Sequence, residues 1–203
     1  MDRDALSRAR ELALAGLLGA LGLLLPIGFH ALGWGGKVFL PMHLPVVVAG
    51  FLVSPATAVT LGFVVPLLSA VLTGMPPLSP PVAPLMALEL AAKAGAASVF
   101  YRVLRLPLWV ALAAAFVADW AVLALAAWFV AGLFAIKAGA IQYVGAAVVI
   151  GLPGTILQVI AVPLTVLAIE KRVPRLRPAK RDETGRPAKR DETGHPAKRE
   201  KTG

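Results

Sequence analysis

Cysteine is absent from all 203 residues. Disulfides, thiol catalysis and Cys-based metal sites are thereby excluded. Charge is scarce as well. Only 15% of residues are Asp, Glu, Lys or Arg, against about 25% in soluble domains. There is no GxxxxGK[ST], so the chain has no ATP-hydrolysing P-loop; GWGGK at 33–37 is a loop with a lysine. HExxH and GxSxG are missing, and no Ser–His or paired-acid arrangement is visible. No enzymatic activity, cofactor or bound metal is expected. If the protein moves a solute uphill, the energy comes from a partner or an ion gradient.

What is present is hydrocarbon. Apolar residues make up 58% of the chain and the mean hydropathy is +0.78. A helix of about 20 apolar residues crosses a bilayer. The apolar stretches predict an all-α polytopic membrane protein with six transmembrane helices in one bundle over residues 1–172. The spans fall near 9–27, 43–52, 56–72, 85–104, 109–134 and 142–169. The second is short for a crossing. The basic, apolar beginning resembles a signal peptide but lacks a small-residue cleavage site, so it reads as the retained first helix. His30 to Pro41 is too glycine-rich and polar to continue that helix. Five prolines in the twelve residues 73–84 (TGMPPLSPPVAP) make a stiff non-helical cap. Lys137-Ala-Gly-Ala reads as a turn, and Pro153 and Pro163 as kinks.

The net charge of +9 is unevenly placed. Residues 1–172 carry ten Lys and Arg against six Asp and Glu, and residues 173–203 carry ten against five. Arg3, Arg8, Arg10, Arg102, Arg105, Lys171 and Arg172 fall on one side of the bundle, and Lys37 and Lys137 on the other. That bias puts both termini in the cytosol. It also makes membrane flanks, not nucleic acid, the reason for the basic balance. Residues 173–203 hold a nine-residue repeat: RPAKRDETG at 177–185 and 186–194, then HPAKREKTG at 195–203. With almost no apolar content this basic tail is expected to be disordered. It is either a contact for anionic lipid or an acidic partner, or simply a solvated tail.

Three charges fall well inside the apolar stretches: Glu89, Lys93 and Asp119. Charge in hydrocarbon costs roughly 3 kcal/mol or more, so it needs a partner or a task. Glu89 and Lys93 are four apart and share a helix face. Lys93 and Asp119 are expected at similar depth. Together they form a ligand pocket or relay, or else an ion pair that fixes packing. His30, Trp34 and His43 cluster around the first outer loop, where they offer hydrogen bonds and a stacking face; otherwise they are surface and interfacial residues. Tyr143 and Gln158 on the last span complete the candidate substrate-binding set. Ala9, Ala13, Gly16 and Ala20 form a stripe of small residues on span one, for docking a membrane partner or for packing within the bundle.

Three strings carry a further signal: PMHLPVVVAGFLVSP (41–55), GFVVPLLSAVLTGMPPLSP (62–80) and MALELAAKAGAASVFYR (86–102). With six short-looped spans and the span-one stripe, they resemble the substrate-binding S components of energy-coupling factor (ECF) transporters over residues 8–172. The resemblance implies a subunit of the bacterial cell membrane that captures a water-soluble vitamin or precursor from outside. It then docks on a T component and two ATPase subunits and topples in the membrane to release its cargo. The family's AxxxA docking motif fits Ala9 and Ala13, whereas Leu17 interrupts its extension. The internal Met42-His43 pair resembles the Met-His start of cobalt and nickel uptake proteins, but it is not at a free N-terminus, so no metal site is implied. A proton- or sodium-coupled secondary transporter using Glu89, Lys93 and Asp119 is the alternative.

Overall fold

The computed structural model describes residues 3–31, 41–78, 82–133, 137–173 and 176. The described residues form six helices. They are α1 (Arg3–Ala31), α2 (His43–Leu52), α3 (Pro55–Thr73), α4 (Val82–Ser98), α5 (Leu108–Leu133) and α6 (Lys137–Arg172), with a π-helical turn (Val99–Val103) continuing α4. Trp34 and the repeat tail lie outside the described residues.

Five of these helices are long and apolar enough to cross a membrane; α2, with ten residues, is not. At 1.5 Å per residue α2 spans only about 15 Å, half the hydrocarbon thickness. It is apolar all round, and every residue but Leu44 is buried, which places it at the bundle centre. Val46, Val47, Val48, Phe51 and Leu52 form the heart of the core, with Leu90, Leu112, Val162 and Val166 packed around them.

Several helix ends differ from the sequence reading. α1 runs through Pro26 to Ala31, past the expected end at Ile27. A single proline removes one amide donor, and in a membrane helix its neighbours absorb that loss. His30 is therefore helical and not part of a loop. α6 starts at Lys137, so the expected Lys137-Ala-Gly-Ala turn is its first turn. The proline-rich cap is shorter than read: residues 74–78 are non-helical, but residues 82–84 already form the first turn of α4, where a proline needs no amide donor. α3 stops at Gly74, whose φ of 72° is left-handed and whose amide donates to Ala70 O at 3.0 Å. The Ser54-Pro55 turn is as read. Ser54 caps α3 through Thr57 N, and Pro55 takes the first helical position.

Small residues set the helix spacing. A β-carbon on Gly62 of α3 would sit 2.6 Å from Ala91 Cα, Ala91 N and Leu90 O of α4. One on Gly50 of α2 would sit 2.6 Å from Ala94 O of α4. The α4 backbone thus touches α2 on one side and α3 on the other. On α1, Gly19 and Gly22 close onto Leu61, Val65 and Val46.

Helix directions alternate. Glu11 near the start of α1 meets Ser54 at the α2–α3 turn. Ser98 Oγ, near the end of α4, donates to Val53 O at 2.8 Å. Tyr101 then meets Glu170 at the end of α6. The first turns of α1 and the last turns of α6 lie at this same end, called the base below.

Candidate functional site

On α5, Trp109 and Trp128 are both exposed, at 59% and 75%. Nineteen residues of helix separate them by about 29 Å, close to the hydrocarbon thickness of about 30 Å. Tryptophan favours the two membrane interfaces. Asp119 sits almost halfway between them along the helix.

There it is met by Lys93. Lys93 Nζ donates to Asp119 Oδ2 at 2.7 Å. The Lys93 side chain is only 1% exposed. Its ammonium also lies 4.2 Å from the centroid of Phe116, one turn from Asp119. A cation over an aromatic face gains further electrostatic attraction once desolvated. The sequence expectation that Lys93 and Asp119 share a depth is met as a direct ion pair.

Helix rise puts other polar groups within about one and a half turns of Lys93. Lys93 lies about 12 Å above Tyr101, and its long side chain leans further toward the α4 N-terminus. Gln158 lies about 18 Å above Glu170, the partner of Tyr101. His43 lies about 15 Å above Val53, which is tied to Ser98. α4 packs on α2 and α5, and α6 packs on α5 and α2. His43 is within electrostatic reach of Lys93, and Glu89, one turn above Lys93, is within reach of both Lys93 and Asp119.

This layer is incompletely paired. Among the described residues, His43 Nδ1, Asp119 Oδ1, Gln158 Nε2 and Gln158 Oε1 are buried without a hydrogen-bond partner. Buried polar atoms are paired in the large majority of cases, and each orphan costs about 1–3 kcal/mol. Four in one layer of a membrane bundle need an explanation.

Four of the sequence-predicted residues therefore come together, His43, Glu89, Lys93 and Asp119, and Gln158 is fully buried on the neighbouring α6. His43, read as the start of the second span beside the first outer loop, is the buried first residue of α2. His30 and Tyr143 belong to α1 and α6, though their side chains, like all of Trp34, lie outside the described residues. Ala9, Ala13, Gly16 and Ala20 are exposed on α1. A β-carbon on Gly16 would meet nothing within 4 Å. The stripe faces away from the described bundle. Among the described residues no group of three or more His, Asp or Glu side chains suits a metal ion.

A second polar set escaped the sequence reading. At the base, Glu11 Oε1 accepts from Ser54 N at 2.9 Å and Thr57 Oγ1 at 2.5 Å. Tyr101 Oη donates to Glu170 Oε1 at 2.8 Å, and Arg102 donates to Leu176 O at 3.3 Å. Arg102 attracts both Glu11 and Glu170. Glu11 and Glu170 stand at the edges of apolar runs, where a charge looks like an ordinary flank. Only the π-helical turn, which brings the consecutive Tyr101 and Arg102 into the base, gathers them. Glu11→Ala should lower stability by about 1–3 kcal/mol, because Ser54 N loses its acceptor. A melt shows this as a drop of several degrees that Glu11→Gln largely restores; an unchanged melt for Glu11→Ala would remove α1 anchoring from its role.

The described residues form an all-helical bundle with charged side chains buried in its interior. The ECF transporter substrate-specific component family matches residues 10–169, and the chain belongs to that family. It is a multi-pass membrane protein and a substrate-binding subunit of an ECF importer. Neither comparison with curated proteins nor comparison with solved structures gives a match.

Proposed function

We propose that this chain captures a water-soluble vitamin or vitamin precursor from outside a bacterial cell. The cargo sits against the layer of His43, Glu89, Lys93, Asp119 and Gln158, and the chain docks on a T component and two ATPases for release inside. The observation that carries this reading is the set of unpaired polar atoms beside the Lys93–Asp119 pair, inside a member of a substrate-binding family. A bound molecule would supply the missing hydrogen bonds. Both termini lie in the cytosol, which the basic residues around the base support. The chain crosses the membrane six times, with α2 supplying half of the second passage.

The exposed stripe of Ala9, Ala13, Gly16 and Ala20 is the docking face for the T component. Small residues let helix backbones approach closely in lipid. Ala13→Trp and Gly16→Trp occupy open space, so they should leave the melting temperature of the isolated chain unchanged. Co-purification with the T component and ATPases should fall by about tenfold or more, a loss of roughly 1.4 kcal/mol. Full association of both variants would overturn the docking assignment. Uptake that survives loss of the ATPases and is abolished by an uncoupler would favour the secondary-transporter alternative instead.

A further inference from the structure

The unpaired atoms of the layer also constrain what the cargo looks like. This deepens the proposed function and rests on the layer being its binding site. Lys93 and Asp119 are the paired charges there, one positive against one negative, with the Glu89 carboxyl one turn away. Among the described side chains no other cation lies at this level. Lys93 gives one of its three N–H donors to Asp119 at 2.7 Å, and its ammonium lies 4.2 Å from the Phe116 ring centroid. A carboxylate cargo could only share this one cation with Asp119. Two carboxylates on one ammonium leave a negative charge uncompensated inside the apolar bundle, which disfavours an anion.

The hydrogen-bond inventory is more specific. Gln158 is completely buried, and both ends of its amide lack a partner among the described residues. One end donates and the other accepts, whichever way the amide is turned. Asp119 Oδ1 adds a second acceptor. The complement of an amide is a group with a donor beside an acceptor, as in a carboxamide, lactam, ureide or aminopyrimidine edge. A further N–H on the cargo serves Asp119 Oδ1. A site built to pair such an edge rejects analogues lacking it, because its own polar atoms would then stay orphaned.

We infer that the cargo carries no net negative charge and presents an amide-like donor–acceptor edge, which Gln158 pairs and which Asp119 Oδ1 helps to orient. Vitamins held chiefly through a free carboxylate are thereby excluded.

The test needs no prior identity for the cargo. An aqueous small-molecule extract of bacterial cells is passed over a strong anion exchanger at neutral pH. The full-length protein in detergent is then melted with the flow-through, which holds neutral and cationic solutes, and with the eluted anions. The flow-through is expected to raise the melting temperature by about 5 °C or more, and the anions to leave it unchanged. Gln158→Leu is melted in parallel. It should lose the response to the flow-through while its unliganded melting temperature equals or exceeds that of the wild type, since two orphaned atoms are gone. A purely structural glutamine would instead lower the unliganded melt when replaced.

Stabilisation by the eluted anions, or an intact response in Gln158→Leu, overturns the inference. If the anions stabilise a chain that still co-purifies with its T component and ATPases, the proposed function stands and only this cargo assignment falls. Stabilisation by neither fraction overturns both the assignment and the layer as a binding site.

Discussion

Gly62→Ala is expected to be among the most damaging single substitutions in the bundle. The new β-carbon would lie 2.6 Å from Ala91 Cα, Ala91 N and Leu90 O. All three are backbone atoms of the facing helix, so no rotamer change relieves the contact. α3 and α4 must separate, and the neighbouring contact of Gly95 with Val59 Cγ2, also 2.6 Å for an added β-carbon, opens with them. Overpacking a core costs about 1–3 kcal/mol where side chains can shift. Here about 3 kcal/mol or more is expected, a fall in melting temperature of roughly 6–12 °C for a chain of this size. Gly16→Ala is the control. It adds the same atom to the same kind of helix in open space and should melt within a degree or two of the wild type. A Gly62→Ala protein that melts like the control would show that α3 and α4 do not rely on this approach.

The second large effect lies in the ion pair. Lys93→Met removes the ammonium and leaves Asp119 charged inside the apolar bundle. Removing one member of a buried pair typically costs about 3–5 kcal/mol. Folded yield in detergent should fall sharply, and the same holds for Asp119→Leu. The double variant Lys93→Met/Asp119→Leu leaves no orphaned charge. Its stability should return to within about 1 kcal/mol of the wild type, since replacing a buried pair by apolar side chains is often neutral or stabilising. If the pair served packing alone, the double variant would also keep full transport. With the pair framing the binding layer, the double variant should fold and yet transport at least tenfold less. The melt and the uptake assay therefore separate the two readings that the sequence left open for Lys93 and Asp119.

How much was legible beforehand follows from the physics of each signal. The long helices announced themselves because hydrocarbon filters charge so strongly, and Glu89, Lys93 and Asp119 stood out for the same reason. The i, i+4 spacing of Glu89 and Lys93 and the matching depths of Lys93 and Asp119 followed from helix rise alone. Gln158 was named, but nothing in its neighbours announced that both amide atoms would be buried unpaired. His43 reads as the start of a short apolar run beside the outer loop, and its burial comes from packing that no local pattern encodes. The Glu11 and Glu170 contacts were hidden because a charge at the end of a span is the usual case. The pairing partners, Ser54 with Thr57 and Tyr101, are 43 to 69 residues away in sequence, and no local pattern encodes a meeting at that separation.

The close approaches of Gly50 and Gly62 to α4 have a mechanical meaning. Where side chains interdigitate, two helices can slide by swapping rotamers. Where backbone rests on backbone, that slack is gone. α2, α3 and α4 therefore act as one stiff plate, which resists shear between its members. Any reorientation of this protein in the bilayer must carry that plate as a unit, and the work of the ATPases would be spent against the surrounding lipid instead of against the fold.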